Sequence, residues 1–313
     1  MAFTVVPLHN LSLPAGTRIP FGSGFVLQDL PAWVKKDKGI LSGIHNNDRQ
    51  LIDHDNHALV AEYEADSIGS PDPEWPGDKP KSIQALKFQS AMLANLAIWL
   101  RQPCTVHFTV GFHSLTHLEG GRTVDPPIIL KTEHHTRLFC HPNDVSNPVK
   151  VHHLTNAGKL HAAMSSVPRG NAVWAAFRAF WAALTSYRAD LRYPLFWQGL
   201  ESLFTSETRT RKVTERLCTR VSFFLADDAE TQQGLFEKAS ACYDTRSKII
   251  HGRWKSGTDI DQPMADTEAI VRTVLRHLLE KQGMISAFVS PRRDDFLDSW
   301  VQSKSFTPPS FTP

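Results

Sequence analysis

Tyr243-Asp-Thr-Arg246-Ser-Lys-Ile-Ile-His251-Gly252 closes the longest helical pattern in the chain, and its mixture of apolar and ionisable positions decides the reading of the C-terminal half. Placed at 100° per residue around Tyr243, residues Leu235, Phe236, Ala239, Cys242, Tyr243, Ile249 and Ile250 fall on one side, as the stripe of a core-facing helix does. Arg246 sits inside that stripe. A guanidinium there loses hydration unless an anion meets it, so a carboxylate or phosphate partner is expected. Asp244, Ser247 and His251 follow i, i+3, i+7 spacing along the neighbouring ridge, and Gly252 is a helix-stopping residue. Arg246 and His251 then stand about 140° apart around the helix and about 7.5 Å apart along it, bracketing a shallow surface at Tyr243, Ser247 and Ile250.

Upstream and downstream of this stretch the pattern is helix after helix. Apolar stripes at helical spacing predict helices over 172–188, 194–204, 208–225, 229–250 and 265–282, and the short connections favour antiparallel neighbours in a bundle. Trp174, Trp181 and Trp197, with Phe177, Phe180 and Phe196, read as core. Arg209, Lys212, Arg216 and Arg220 recur at spacings of 3, 4 and 4, opposite Val213, Leu217, Val221 and Phe224. Such a stripe suits contacts with a phosphate backbone, or equally a solvated face relieved by Glu215.

The first half has a different texture. Runs rich in β-branched and aromatic residues predict strands over 3–7, 24–27, 58–63, 105–112 and 127–132, with one helix over 82–100. A run of turn formers over 141–172 marks the seam, which is placed near residue 165. The fold class expected is therefore α+β: a mixed α/β domain of unknown role over 1–165, a helical domain over 166–302, and a Pro- and Ser/Thr-rich tail over 303–313 with little to bury. A chain of 313 residues suits two domains.

Composition narrows the class further. A hydrophobic fraction of 41% and a charged fraction of 21% are those of a globular protein with a core in each half. There is no apolar run of membrane-spanning length, and the start lacks the basic opening and apolar block of a secretory signal, so a cytoplasmic protein without membrane association is expected. Cys104, Cys140, Cys218 and Cys242 are widely spaced and read as buried reduced thiols. A net charge of +2 is too small to argue nucleic-acid binding by itself. Histidines gather in the first half: His54 and His57 near Asp53 and Asp55, His113 and His117 four apart, and His134, His135 and His141 near Cys140. None has a diagnostic ligand spacing, so neither metal nor cofactor is called for. No P-loop and no GxSxG turn occurs.

Arg246 and His251 are the pair that carries chemistry. Arginine offers a permanently charged, bidentate fork for a phosphate and steadies the extra charge of a five-coordinate phosphorus. Histidine can exchange protons with a ribose 2′-hydroxyl or a leaving oxygen. Together they suit phosphodiester cleavage without a metal.

The arginine, four intervening residues and histidine resemble the signature of the HEPN superfamily, and Tyr243-Asp-Thr-Arg-Ser-Lys-Ile-Ile-His-Gly is similar to the form found in its Apea-like branch. Phe196-Trp-Gln-Gly-Leu-Glu201-Ser-Leu-Phe resembles that branch's Leu-Glu-x-Leu helix, and Glu215-Arg-Leu-Cys-Thr-Arg220-Val-Ser-Phe-Phe-Leu its Arg-Val-x-Phe-Leu helix, in the same order over residues 196–252. The resemblance implies a four-helix-bundle fold over about 170–280, a homodimer that brings two motifs together, and often metal-independent endoribonuclease activity in antiviral defence, toxin–antitoxin systems or RNA processing. It assigns Arg246 and His251 as the catalytic pair, with Ser247, Tyr243, Glu201 and Arg220 in support and RNA as the partner, under the control of a regulatory protein; Asp244 joins the supporting residues through its spacing on the ridge of Ser247 and His251. Many catalytic members carry Asn, Asp or His after the arginine; Ser247 departs from that pattern. The alternative is a module that binds RNA or nucleotide, or dimerises, without cleaving.

Overall fold

The antiparallel sheet of the first half follows from alternation along its central strand. In the computed structural model, residues 2–36, 44–63, 83–114, 118–119, 122–123, 128–131, 148–186, 188–205, 213–254, 260–281 and 283–302 are described. The tail over 303–313, Arg209, Lys212, His117, His134, His135, His141 and Cys140 lie outside them. The chain divides into two units, Met1–Ser166 and Val167–Pro313, an α+β arrangement of one main sheet and many helices.

In the first unit β1 (Ala2–Pro7), β2 (Ile19–Pro20), β3 (Phe25–Asp29), β4 (His57–Tyr63), β5 (Val110–Ser114) and β8 (Ile128–Lys131) form a six-stranded sheet in the order β2-β3-β4-β1-β5-β8, every pairing antiparallel. Strands β6 (Leu118–Glu119) and β7 (Arg122–Thr123) make a separate two-stranded ribbon. Because successive side chains leave a strand on opposite faces, Phe3 and Val5 turn to one side with Val60, Val110 and Phe112. They close a core with Leu30, Val34, Ile44 and Ile52 of helix α1 (Asn46–His54) and the segment before it. Val6 and Gly111 turn to the other side, where helix α2 (Ile83–Arg101) lies; a Cβ on Gly111 would stand 3.1 Å from the Phe88 ring and 3.3 Å from Val6.

Helix α3 (Val151–Ser165) falls within the stretch read from sequence as turn formers. Gly158 and the adjacent His152 and His153 weaken the helical signal, yet Gly158 is required. A Cβ there would collide with the carbonyl oxygen of Pro20, and one on Gly22 would come 2.7 Å from the Ala162 backbone. Close approach to the β2–β3 turn and packing on α2 hold the helix, a tertiary effect that outweighs local preference. α1 likewise escaped the sequence reading, since only Ile52 and Asp48 of it are buried.

The regular elements among the described residues of the second unit are all helices: α4 (Ala172–Thr185), α5 (Ala189–Phe204), α6 (Val213–Leu225), α7 (Ala229–Ile250), α8 (Asp261–Glu280), α9 (Met284–Val289) and α10 (Arg293–Gln302). α5, α6, α7 and α8 all touch one another, and α4 lies along α5, where Gly199 leaves room for the Phe180 ring. Helix starts are marked by capping side chains: Asn171 Oδ1 accepts from Trp174 N–H at 3.0 Å, and Asp228 Oδ1 from Thr231 N–H at 2.8 Å. α5 begins five residues earlier than the sequence suggests. Pro194 lies inside it, forfeiting one backbone bond, while the buried Arg192 guanidinium holds the first turn by donating to Ser186 O at 2.7 Å. Phe177, Phe180, Phe196 and Trp197 are fully buried and Trp174 nearly so.

Candidate functional site

Three of the residues singled out from sequence converge between α5 and α7. Glu201, in the last turn of α5, receives the Tyr243 hydroxyl on Oε1 at 2.7 Å. Arg246, one turn further along α7, places Nη2 across the same carboxylate, 3.0 Å from Oε1 and 3.3 Å from Oε2. The guanidinium carbon also lies 5.2 Å from the centre of the Tyr243 ring, and Trp197 meets that ring edge-on with centroids 5.1 Å apart. The anion that the stripe position of Arg246 calls for is therefore supplied from within the chain.

Burial holds the Tyr243 hydroxyl above its ordinary acidity range, and its donation to Glu201 reinforces the shift. It stays a donor across physiological pH. Arg246 and Glu201 are 22% and 23% exposed, so the pair reaches solvent without lying free in it, and Arg246 Nε is buried with no hydrogen-bond partner among the described residues.

His251 is the C-cap of α7 and exposed. The backbone turns there because Gly252 takes φ +65 with nothing near enough to obstruct a Cβ, so conformation alone selects glycine. Gly252 N–H donates to Ile249 O at 3.1 Å and Arg253 N–H to Lys248 O at 2.8 Å, the paired bonds of a Schellman stop. Ser247 is half-buried, and Asp244 is exposed and ion-paired with Lys248 at 2.6 Å. Ile250 departs from its expected burial: it is 48% exposed.

Arg220 does not belong to this cluster or to a surface stripe. It is buried on α6, where Nη1 donates to Phe204 O at 2.6 Å and to Asp294 at 3.1 Å, and Nη2 to Asp298 at 2.6 Å. It ties α10 to the end of α5, assisted by Arg293, which donates to Ser202 O and Thr205 O at 2.7 Å each. The i, i+4 pair Asp294 and Asp298 was the signal in the sequence for this clamp. Arg216, its neighbour in the expected stripe, is half-buried.

Sequence reading also missed the polar interior of the first unit. His9 Nδ1 lies 2.6 Å from Asp55 Oδ2, and Nε2 lies 3.1 Å from Thr109 Oγ1, all three buried. Burial raises the Asp55 carboxyl above its ordinary value despite the downward pull of His9. The Tyr63 hydroxyl stands 2.7 Å from His113 Nδ1, with Thr4 beside both, and Lys87 Nζ lies 4.6 Å from the Tyr63 ring centre while donating to Ser23 O at 2.7 Å. Isolated histidines in a sequence carry no sign of which carboxylate or hydroxyl will meet them. No group of His, Cys, Asp and Glu among the described residues is arranged to hold a metal ion. Cys104, Cys218 and Cys242 are buried and free, and burial pushes the first two thiols up to about 12, away from reactive thiolate.

Compared with known protein families, with curated proteins and with solved structures, the chain shows no match. No helix among the described residues is long and apolar enough to cross a membrane.

Proposed function

We propose that the second unit is a HEPN-like helical module that acts on RNA, cleaving phosphodiesters without a metal in a homodimer that brings two Arg246–His251 ridges together. Arg246 holds the scissile phosphate and His251 exchanges the proton of the 2′-hydroxyl or the leaving oxygen. The supporting observation is the Glu201–Tyr243–Arg246 cluster: it fixes a guanidinium at the solvent edge of α7, five residues ahead of an exposed histidine at a defined helix stop. Tyr243 and Arg246 share the Glu201 carboxylate, and Ser247 lines the surface between Arg246 and His251. The setting is a cytoplasmic one in defence or toxin-like RNA cleavage, under a regulatory partner.

A second reading is favoured by one specific feature. Arg246 is already neutralised by Glu201, as it would be in a module that binds RNA or dimerises without cleaving. Incubating the full chain with a labelled RNA pool in EDTA separates the two. The proposal predicts cleavage by the wild type, 2′,3′-cyclic phosphate ends, and at least a hundredfold loss in His251→Ala. Retained RNA binding with no cleavage supports the second reading instead.

A further inference from the structure

Glu201 is shared. Its carboxylate takes the Tyr243 hydroxyl and the Arg246 guanidinium at once, so the charge of Arg246 is balanced before any ligand arrives. A phosphodiester reaching Arg246 meets a guanidinium whose Nη2 is already spent and a carboxylate of its own sign immediately behind it. Phosphate and Glu201 thus compete for one cation, and like charges held close oppose each other. Tyr243 modulates the contest: its hydroxyl satisfies part of the Glu201 charge that would otherwise fall on Arg246.

We infer that Glu201 is an internal counter-ion that restrains the Arg246 site, setting its affinity for an RNA phosphate by competition rather than contributing to that affinity. This rests on the reading of Arg246 as a phosphate-binding group. The inference fixes the sign of two substitutions. Glu201→Gln keeps the shape and an acceptor for Tyr243 but removes the competing charge, so phosphate binding tightens. Tyr243→Phe keeps the charge and removes the hydroxyl that shares it, so binding weakens. A carboxylate that merely positioned Arg246 would give weaker binding in both.

The test uses the full chain and a fluorescent 2′-O-methyl oligoribonucleotide, which binds as RNA does but lacks the nucleophile for cleavage. The anisotropy titration is run on the wild type, Glu201→Gln, Tyr243→Phe, Arg246→Ala and Glu201→Gln/Arg246→Ala, each checked for folding by its melting curve. The inference predicts that Glu201→Gln binds at least threefold more tightly and Tyr243→Phe about twofold more weakly. It also predicts that the gain from Glu201→Gln disappears when Arg246 is absent. Weaker binding by a folded Glu201→Gln overturns it, as does a gain that persists in the double variant, which would be a general charge effect. Should Glu201→Gln fail to fold, unchanged or tighter binding by Tyr243→Phe overturns it. If wild type and Arg246→Ala bind equally or not at all, the phosphate-binding reading of Arg246 falls, and the inference with it.

Discussion

The two units bury basic side chains of opposite character. In the first, His9, His57, His107, His113 and His161 are all buried, as are the carboxylates of Asp48 and Asp55; in the second, the buried charged side chains among the described residues are Arg192, Arg220 and Glu268. A buried imidazole can shed its charge and remain neutral, whereas a guanidinium cannot and must bring its counter-ions inside. The first unit therefore has an interior that depends on pH. The second has one that depends on intact partners, such as Asp294 and Asp298 around Arg220.

The sharpest break in that comparison comes from acid. Burial lowers His113 and His161 from 6.5 to about 4. The unfolded chain takes up the proton first, so the stability these neutral rings contribute is complete above pH 6.5 and is lost as pH falls from 6.5 towards 4. The loss is ~3 kcal/mol per ring at full expression, a large share of a domain's stability. Asp55, raised by burial, works in the opposite sense and offsets part of this. His277, lowered by partial burial, gives the second unit a weaker response of the same sign. Limited proteolysis between pH 7 and 4.5 should show the first unit opening before the second, and loss of the second unit first would contradict the account.

Removing a guanidinium sharpens the other side. Arg220→Ala strands Asp294, Asp298 and the Phe204 carbonyl and is expected to destabilise the second unit by about 3 kcal/mol, read by urea unfolding, with α10 released. Gly252→Ala forces an alanine into φ +65 and should cost about 1 kcal/mol. Lys248→Ala removes an exposed i, i+4 pair with Asp244 and should fall within about 0.5 kcal/mol of the wild type.

Legibility in the sequence followed the same division. The helices of the second unit announced themselves through apolar stripes, and Arg246 announced its need for an anion by standing inside one; Glu201 and Tyr243 were within the quoted motifs. Arg220 misled because periodicity places a residue on a helix face without saying what covers that face. Here α10, more than 70 residues away in sequence, covers it. Ile250 misled in the converse way, standing in the stripe yet exposed. In the first unit, α3 depends on the approach of the Pro20–Gly22 backbone, and the His9–Asp55–Thr109 chain on contacts across the fold. Neither leaves a periodic trace.

The central claim is that Arg246 meets RNA phosphate. The most direct measurement is the side-chain Nε–H resonance of Arg246, assigned by its loss in Arg246→Lys, during titration of the full chain with a short 2′-O-methyl oligoribonucleotide. The account predicts a saturable shift of that resonance at the concentrations that saturate binding. Binding that leaves the Arg246 resonance unmoved while other arginines shift would place the RNA elsewhere and contradict it.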